Sequence, residues 1–245
     1  MSEFAGKTAL VTGATAGIGR AVARQLAARG ADVVVHGRDA QRGASLVEEL
    51  GGRARFVAAD LSDASQVLRL AAEAGPVDIL VNNAGIYDFA PTPATTAADF
   101  DRHLAINTRA PFLLVGALVP AMIERGGGVV VNMSSTSATM AAPVGAVYGA
   151  SKAALELLTK SWATEFGASG VRVNGVSPGP TRTDGTERMI GDNLDAFAQQ
   201  INVRGRIGDP DEIADVVVFL AGERSSYING TVVVAHGGER SLLPV

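Results

Sequence analysis

The sequence contains no cysteine in 245 residues, which excludes disulfides, thiolate nucleophiles and cysteine metal sites together. Aromatic residues are scarce at 5%, with a single tryptophan, and charged residues reach only 19%. No block of like charge occurs, and a net charge of -4 offers no attraction to nucleic acid or to an anionic membrane surface. Long apolar runs are missing as well. The longest nearly uncharged stretch, Ala110 to Ile123, falls short of the ~20 residues a membrane span needs, and Pro111 and Pro120 interrupt it. A buried helix is expected there. Residues Met1 to Lys7 lead straight into a strand-like run without a charged-then-apolar signal pattern, so the cytoplasm is the expected compartment. What the chain does have is apolar material, 47% of residues, and 29 glycines. That composition and length predict one folded domain spanning residues 1–245 around a single core.

Short β-branched runs recur along the chain at Thr8 to Thr12, Asp32 to His36, Arg55 to Ala59, Val77 to Asn82, Val129 to Met133, Val171 to Ser177 and Thr231 to Ala235. Several are continuously apolar (Val33 to Val35, Val129 to Val131, Val232 to Val234), which predicts burial on both faces, as in a parallel sheet. Helical patterns separate them. The clearest runs from Asp209 to Gly222: Asp209 caps, Pro210 suits the first position, Glu212 completes a capping box, and Ile213, Val216, Val217 and Leu220 form one stripe. The fold class that follows is α/β, a doubly wound parallel sheet of about seven strands with helices on both faces, whose ligands bind at the strands' carboxyl ends. Residues Asp184 to Arg204 carry no clear strand, and Gly185 and Gly191 suggest a mobile flap over the substrate.

Two local patterns point to chemistry. The first strand ends in Thr12-Gly13-Ala14-Thr15-Ala16-Gly17-Ile18-Gly19, followed by Ile18, Val22 and Leu26 at helical spacing. A strand, a glycine turn and a helix start present bare N–H groups to a pyrophosphate, although glycines beside a strand also make plain tight turns. Further on, Tyr148 and Lys152 stand four apart, hence on one helix face. A cation ~4 Å from a phenol at an effective dielectric of ~20 is worth about 4 kcal/mol, enough to bring the phenol near neutral pH for proton transfer to a carbonyl oxygen. Ser135 closes another strand and would face the same crevice. Asn107, a poor helix former, sits in an apolar helical segment.

In this order, the Thr12 to Gly19 turn, Asp60-Leu61, Asn82-Asn83-Ala84-Gly85, Asn107, Ser135, Tyr148 with Lys152, Arg172-Val173-Asn174 and Pro178-Gly179 with Thr183 resemble the short-chain dehydrogenase/reductases over essentially the whole chain. The resemblance implies a Rossmann-type fold and an oxidoreductase. It makes Tyr148 the general acid in reduction and base in oxidation, with Ser135 bonding the substrate oxygen. Lys152 would lower the phenol's pKa and hold the nicotinamide ribose, and Asn107 would hold a water linking Lys152 to solvent. Hydride comes from a nicotinamide, and no metal is required. The turn residues Gly13, Thr15, Gly17, Ile18 and Gly19 would line the dinucleotide. Asp60 and Leu61 would take its adenine side, and Asn83, Ala84 and Gly85 its wall. Pro178, Gly179, Thr181 and Thr183 would approach the carboxamide and phosphates. Asn82 is read equally as strand-end hydrogen bonding, and Asn174 as structural.

Family members that use NAD usually carry a carboxylate where Gly37 sits here, while Arg38 can fork onto a 2′-phosphate, so NADP(H) is favoured over NAD(H). Asp39 could oppose phosphate or serve NAD, and Ala16 lacks the basic side chain of many NADP-dependent relatives. Tyr87, Phe89, Pro143 and Val144 are expected pocket walls, suited to a small ketone or secondary alcohol with apolar parts. The residues after Gly85 do not follow the pattern of the family's acyl-carrier-protein reductases, which makes 3-oxoacyl-[acyl-carrier-protein] reduction the alternative; a catalytically silent NADP-binding regulator is another. Leu157, Leu158, Trp162 and Phe166 suggest a subunit interface, with burial inside the domain as the competing explanation, and the resemblance implies a homotetramer. His36 and His103 are read as surface residues, and His236 as packing or interface.

Overall fold

The computed structural model describes residues 2–141 and 144–238. All seven expected strands are present, as β1 Thr8–Val11, β2 Asp32–Gly37, β3 Ala54–Ala58, β4 Ile79–Asn82, β5 Gly128–Met133, β6 Val171–Pro178 and β7 Val232–Ala235. They form one sheet in the order β3-β2-β1-β4-β5-β6-β7, and every pairing is parallel. The helices are α1 Gly17–Ala28, α2 Ala40–Leu50, α3 Ala64–Ala74, α4 Ala97–Leu104, α5 Ala110–Glu124, α6 Ala146–Phe166, α7 Asp184–Ile190, α8 Leu194–Ile201 and α9 Pro210–Ala221.

Alternation along each strand splits the core into two layers. Val11, Val33, Val35, Val81 and Val131 pack with Val22, Leu26, Ile213 and Val217 of α1 and α9 on one face. Leu10, Val34, Leu80, Val130 and Val173 pack with Leu70, Leu114, Leu118 and Leu155 of α3, α5 and α6 on the other. From β1 the chain steps outward to β2 and β3, then returns to add β4 on the opposite side. The carboxyl ends of β1 and β4 therefore flank a crevice, the topological switch point at which such sheets bind ligands.

The α9 reading holds in detail: Asp209 and Glu212 form the capping box, and Pro210 is the first helical residue. Elsewhere the structure corrects the sequence. The apolar run of β7 is not buried on both faces, because β7 is an edge strand and Val234 stands 55% exposed. Trp162 is buried inside the domain at 4% exposure, against Phe112, and Leu158 and Phe166 pack on the core; of the four interface candidates Leu157 alone is exposed, at 66%. The apolar helix is longer than expected, since a π turn, Ala105–Arg109, joins α4 to α5. The joined helix, residues 97–124, is long and apolar enough to cross a membrane, yet Leu114, Val115, Leu118 and Met122 are packed into the sheet, which makes it a core helix. The 184–204 segment, read as a flap without a strand, forms two short helices, α7 and α8.

Candidate active site

The crevice is a cavity of about 640 Å³, within the range of small-molecule sites. At one end the glycine turn is held by struts from three strands. Thr12 Oγ1 accepts the N–H groups of Asn83 and Ala84, both at 3.0 Å, and Asn83 Nδ2 donates back to the carbonyls of Thr12 and Gly13. Gly13 N–H donates to His36 Nδ1 at 3.1 Å, and His36 Nε2 lies 3.1 Å from the Ala59 carbonyl. Both bonds need the neutral ring with its proton on Nε2. His36 is thus 2% exposed, contrary to the surface reading, and burial pushes its pKa down, with Arg38 acting in the same direction.

Glycine is obligatory at two points of this turn. A side chain at Gly19 would run into the Gly13 carbonyl and the Asn83 amide, and one at Gly17, where φ is +51°, would meet Thr183 at 2.9 Å. The first turn of α1 has no side-chain cap, whereas α2, α3, α4 and α7 are capped by Asp39, Asp63, Thr96 and Thr183. Ala16, Gly17, Ile18 and Gly19 line the cavity, so N–H groups orphaned at this helix start are aimed at whatever fills it. A dinucleotide's phosphates fit that cradle.

At the other end, Ser135 closes β5 and its Oγ accepts Ser137 N–H at 3.2 Å. Gly149 lets α6 rest directly on that turn, since a side chain there would come within 2.6 Å of the Ser137 carbonyl. Tyr148, beside it, is half-buried and meets the rings of Phe89 and Tyr87 edge-on, with centroids 5.6 and 6.3 Å away. Lys152 is buried, and its Nζ donates to the Met133 carbonyl at 2.7 Å. Burial lowers its pKa to about 8.

The expected acidification of the phenol by Lys152 is not seen in this geometry. Burial raises the Tyr148 pKa, the Ser135 hydroxyl opposes that rise, and the neighbouring Tyr87 adds to it. The ammonium is turned onto a carbonyl at the end of β5, 6.0 Å from the Tyr148 ring centre. Asn107 lies in the π turn, a helix irregularity common at functional sites, and is fully buried. Its Nδ2 donates to the Ile86 carbonyl and to Ser151 Oγ, and its Oδ1 accepts Ile86 N–H, each at 2.9 Å. Both amide hydrogens are spent, so the side chain is a strut between the 85–86 segment and α6.

A family model described as Enoyl-(Acyl carrier protein) reductase matches residues 13–239. The chain is a short-chain dehydrogenase/reductase. As a member of that family it is an oxidoreductase acting on alcohol or ketone groups. It is 41% identical to a D-threitol dehydrogenase of Mycolicibacterium smegmatis over 95% of this chain and 92% of that protein. A solved structure described as a short chain dehydrogenase/reductase family protein superposes with a TM-score of 0.92 at 50% identity, covering 96% of this chain and 98% of the other. A 3-oxoacyl (acyl-carrier-protein) reductase from Agrobacterium tumefaciens C58, solved with NADP bound, gives a TM-score of 0.92 at 34% identity over 96% and 95% of the two chains.

In this dehydrogenase/reductase every site residue read from the sequence except Asn107 lines the cavity: Gly13, Thr15, Gly17, Ile18, Gly19, Arg38, Asp60, Leu61, Asn83, Ala84, Gly85, Ser135, Tyr148, Lys152, Pro178, Gly179, Thr181 and Thr183. Asp60 Oδ1 accepts both the N–H and the hydroxyl of Ser62, which lowers its pKa. Asn82 is buried and its Nδ2 donates to Asn132 Oδ1, in keeping with the strand-end reading. Asn174 ties β6 to Ile228 and Thr231. Tyr87 and Phe89 are walls, and Pro143 lies outside the described residues. His236 Nδ1 accepts Gly238 N–H in a turn. Three residues were missed or misread. His36 anchors the turn; Arg42, in the first turn of α2, lines the cavity; and buried His103 accepts Asp88 N–H while its Nδ1 lies 2.8 Å from the Asp99 carbonyl, which steadies the loop bearing Tyr87 and Phe89.

Proposed function

We propose that this protein transfers a hydride between NADP(H) and a small ketone or secondary alcohol, with Tyr148 as general acid and base. The observation that carries the reading is the convergence of Ser135, Tyr148 and Lys152 on the cavity that the glycine turn also lines. The nicotinamide, when bound, supplies or accepts the hydride. The chain's own residues handle the proton. Burial raises the phenol's pKa further above neutrality, so it is protonated, as a donor to a carbonyl oxygen must be, and Ser135 would hold that same oxygen. Oxidation needs the phenolate instead, so alcohol oxidation rises with pH while reduction is sustained through neutrality. Lys152, with Asn107 bracing the segment beside it through Ile86 and Ser151, would hold the ribose next to Gly85, where a side chain would come within 3.2 Å of Nζ.

The choice of NADP(H) is supported by the region after β2. Asp39 is committed to capping α2, with its Oδ1 accepting Gln41 and Arg42 N–H, and a side chain at Gly37 would come within 2.6 Å of Thr15. Gly37 brings no carboxylate to the end of β2, and Arg38 and Arg42 line the cavity there. The NADP bound in the Agrobacterium relative accords with this. Self-association, to a homotetramer by family analogy, is supported by the exposed Phe112 and Leu157 on α5 and α6.

Purified protein and Tyr148→Phe should be assayed with NADPH and NADH on a panel of ketones, secondary alcohols and 3-oxoacyl thioesters. The expected result is turnover of a simple ketone with NADPH and a loss of about 10²- to 10⁴-fold in the variant, with NADPH affinity kept. Turnover confined to thioesters would favour the acyl-carrier reading. NADPH binding without turnover of any substrate would favour a silent regulator.

A further inference from the structure

Arg42 stands where two parts of the cavity meet. It shares the wall with Gly37 and Arg38 at the end of β2, the region expected to meet the adenosine ribose. Its Nε lies 3.5 Å from Asp39 Oδ2, and its Nη1 lies 3.8 Å from Asp184 Oδ2, the first residue of α7. α7 supplies Asp184, Gly185, Thr186, Arg188 and Met189 to the cavity lining. One guanidinium therefore touches the nucleotide end and the segment that covers the substrate end.

The Arg42–Asp184 pair is weak by its spacing and exposure, with the two side chains 54% and 60% exposed. A phosphate carries more charge than a carboxylate and presents oxygens that match the guanidinium fork. Asp39 cannot swing away to take Arg42 fully, because its other oxygen holds two backbone N–H groups. Asp184 is free of such a duty, since α7 is capped by Thr183 instead. Resting on the NADP(H) reading above, we propose that Arg42 is a second recognition residue for the cofactor's 2′-phosphate and that Asp184 is its internal competitor. Preference for NADPH over NADH is then set by the Arg42–Asp184 pair together with Arg38, and a bound 2′-phosphate takes Arg42 away from α7.

Direct titration of the full chain with NADPH and with NADH tests this without any turnover. Arg42→Ala is expected to weaken NADPH binding about 5- to 20-fold and leave NADH within 2-fold. Arg42→Lys, which keeps the charge and loses the fork, should fall between. Asp184→Asn is expected to tighten NADPH about 3-fold with NADH unchanged, and that gain should vanish in the Arg42→Ala background. Both side chains are surface groups, so the variants should fold, which circular dichroism verifies. If the unaltered protein prefers NADPH and Arg42→Ala keeps that preference in full, or if Asp184→Asn weakens both cofactors, the inference is overturned and the NADP(H) reading stands. If the unaltered protein binds NADH as tightly as NADPH, both fall.

Discussion

The glycine turn and the 184–201 segment wall the same cavity and are held in opposite ways. Thr12, Asn83 and His36, none of them charged at neutral pH, fix the turn through hydrogen bonds to main-chain atoms, and Thr12 and His36 are buried. α7 and α8 are short helices whose cavity-facing Met189 and Phe197 remain 50% and 37% exposed, and α7 is tied to α2 by the half-exposed Arg42–Asp184 pair. Backbone held by buried bonds tolerates almost no change, whereas surface held by exposed side chains tolerates a great deal. The glycine-turn wall is therefore built to be constant and the α7–α8 wall to be adjustable.

Three substitutions bear on that contrast. Gly19→Ala should do most damage, because the added methyl meets the Gly13 carbonyl and the Asn83 amide; a loss of about 1–3 kcal/mol in stability, and 10- to 100-fold in NADPH affinity, should appear in urea melts and titrations. A middling effect is expected of His36→Ala, which leaves the Gly13 N–H unpartnered at a cost of about 1–3 kcal/mol. It should also change the pH profile. The folded pKa of His36 lies below 6.5, so the unfolded chain binds the proton first on acidification. The stability His36 contributes is whole above pH 6.5 and is lost as pH falls toward the folded value, and the difference between wild type and variant should shrink over that window. A constant difference from pH 7 to pH 5 would mean that the neutral ring is not what holds the turn. Phe197→Ala should do least, shifting unfolding by about 0.5 kcal/mol or less and leaving NADPH affinity alone while changing KM for bulky ketones. An equal loss of cofactor affinity in this variant would erase the distinction between the two walls.

The same contrast governs what could be read in advance. The strands were legible because parallel sheets buried on both faces need unbroken β-branched runs, and the glycine turn and the Tyr148–Lys152 pair because their spacing is local. His36 was not, since its two partners lie 23 residues away on either side and a lone histidine in a strand carries no mark of them. Arg42 was missed for a similar reason: nothing in its own helix says that α7 will come within reach. The direction of the Lys152 side chain also escaped, because it depends on a Met133 carbonyl at the end of another strand. Val232 to Val234 misled because an unbroken valine run looks the same in a central strand and at an edge.

At Gly149 a bare α-carbon lies against the Ser137 carbonyl, so the spacing between the Tyr148 and Ser135 backbones is gauged by two main chains in contact. An engineer reshaping the cavity can carve into α7 and α8 and expect the Tyr148 and Ser135 backbones to stay in register.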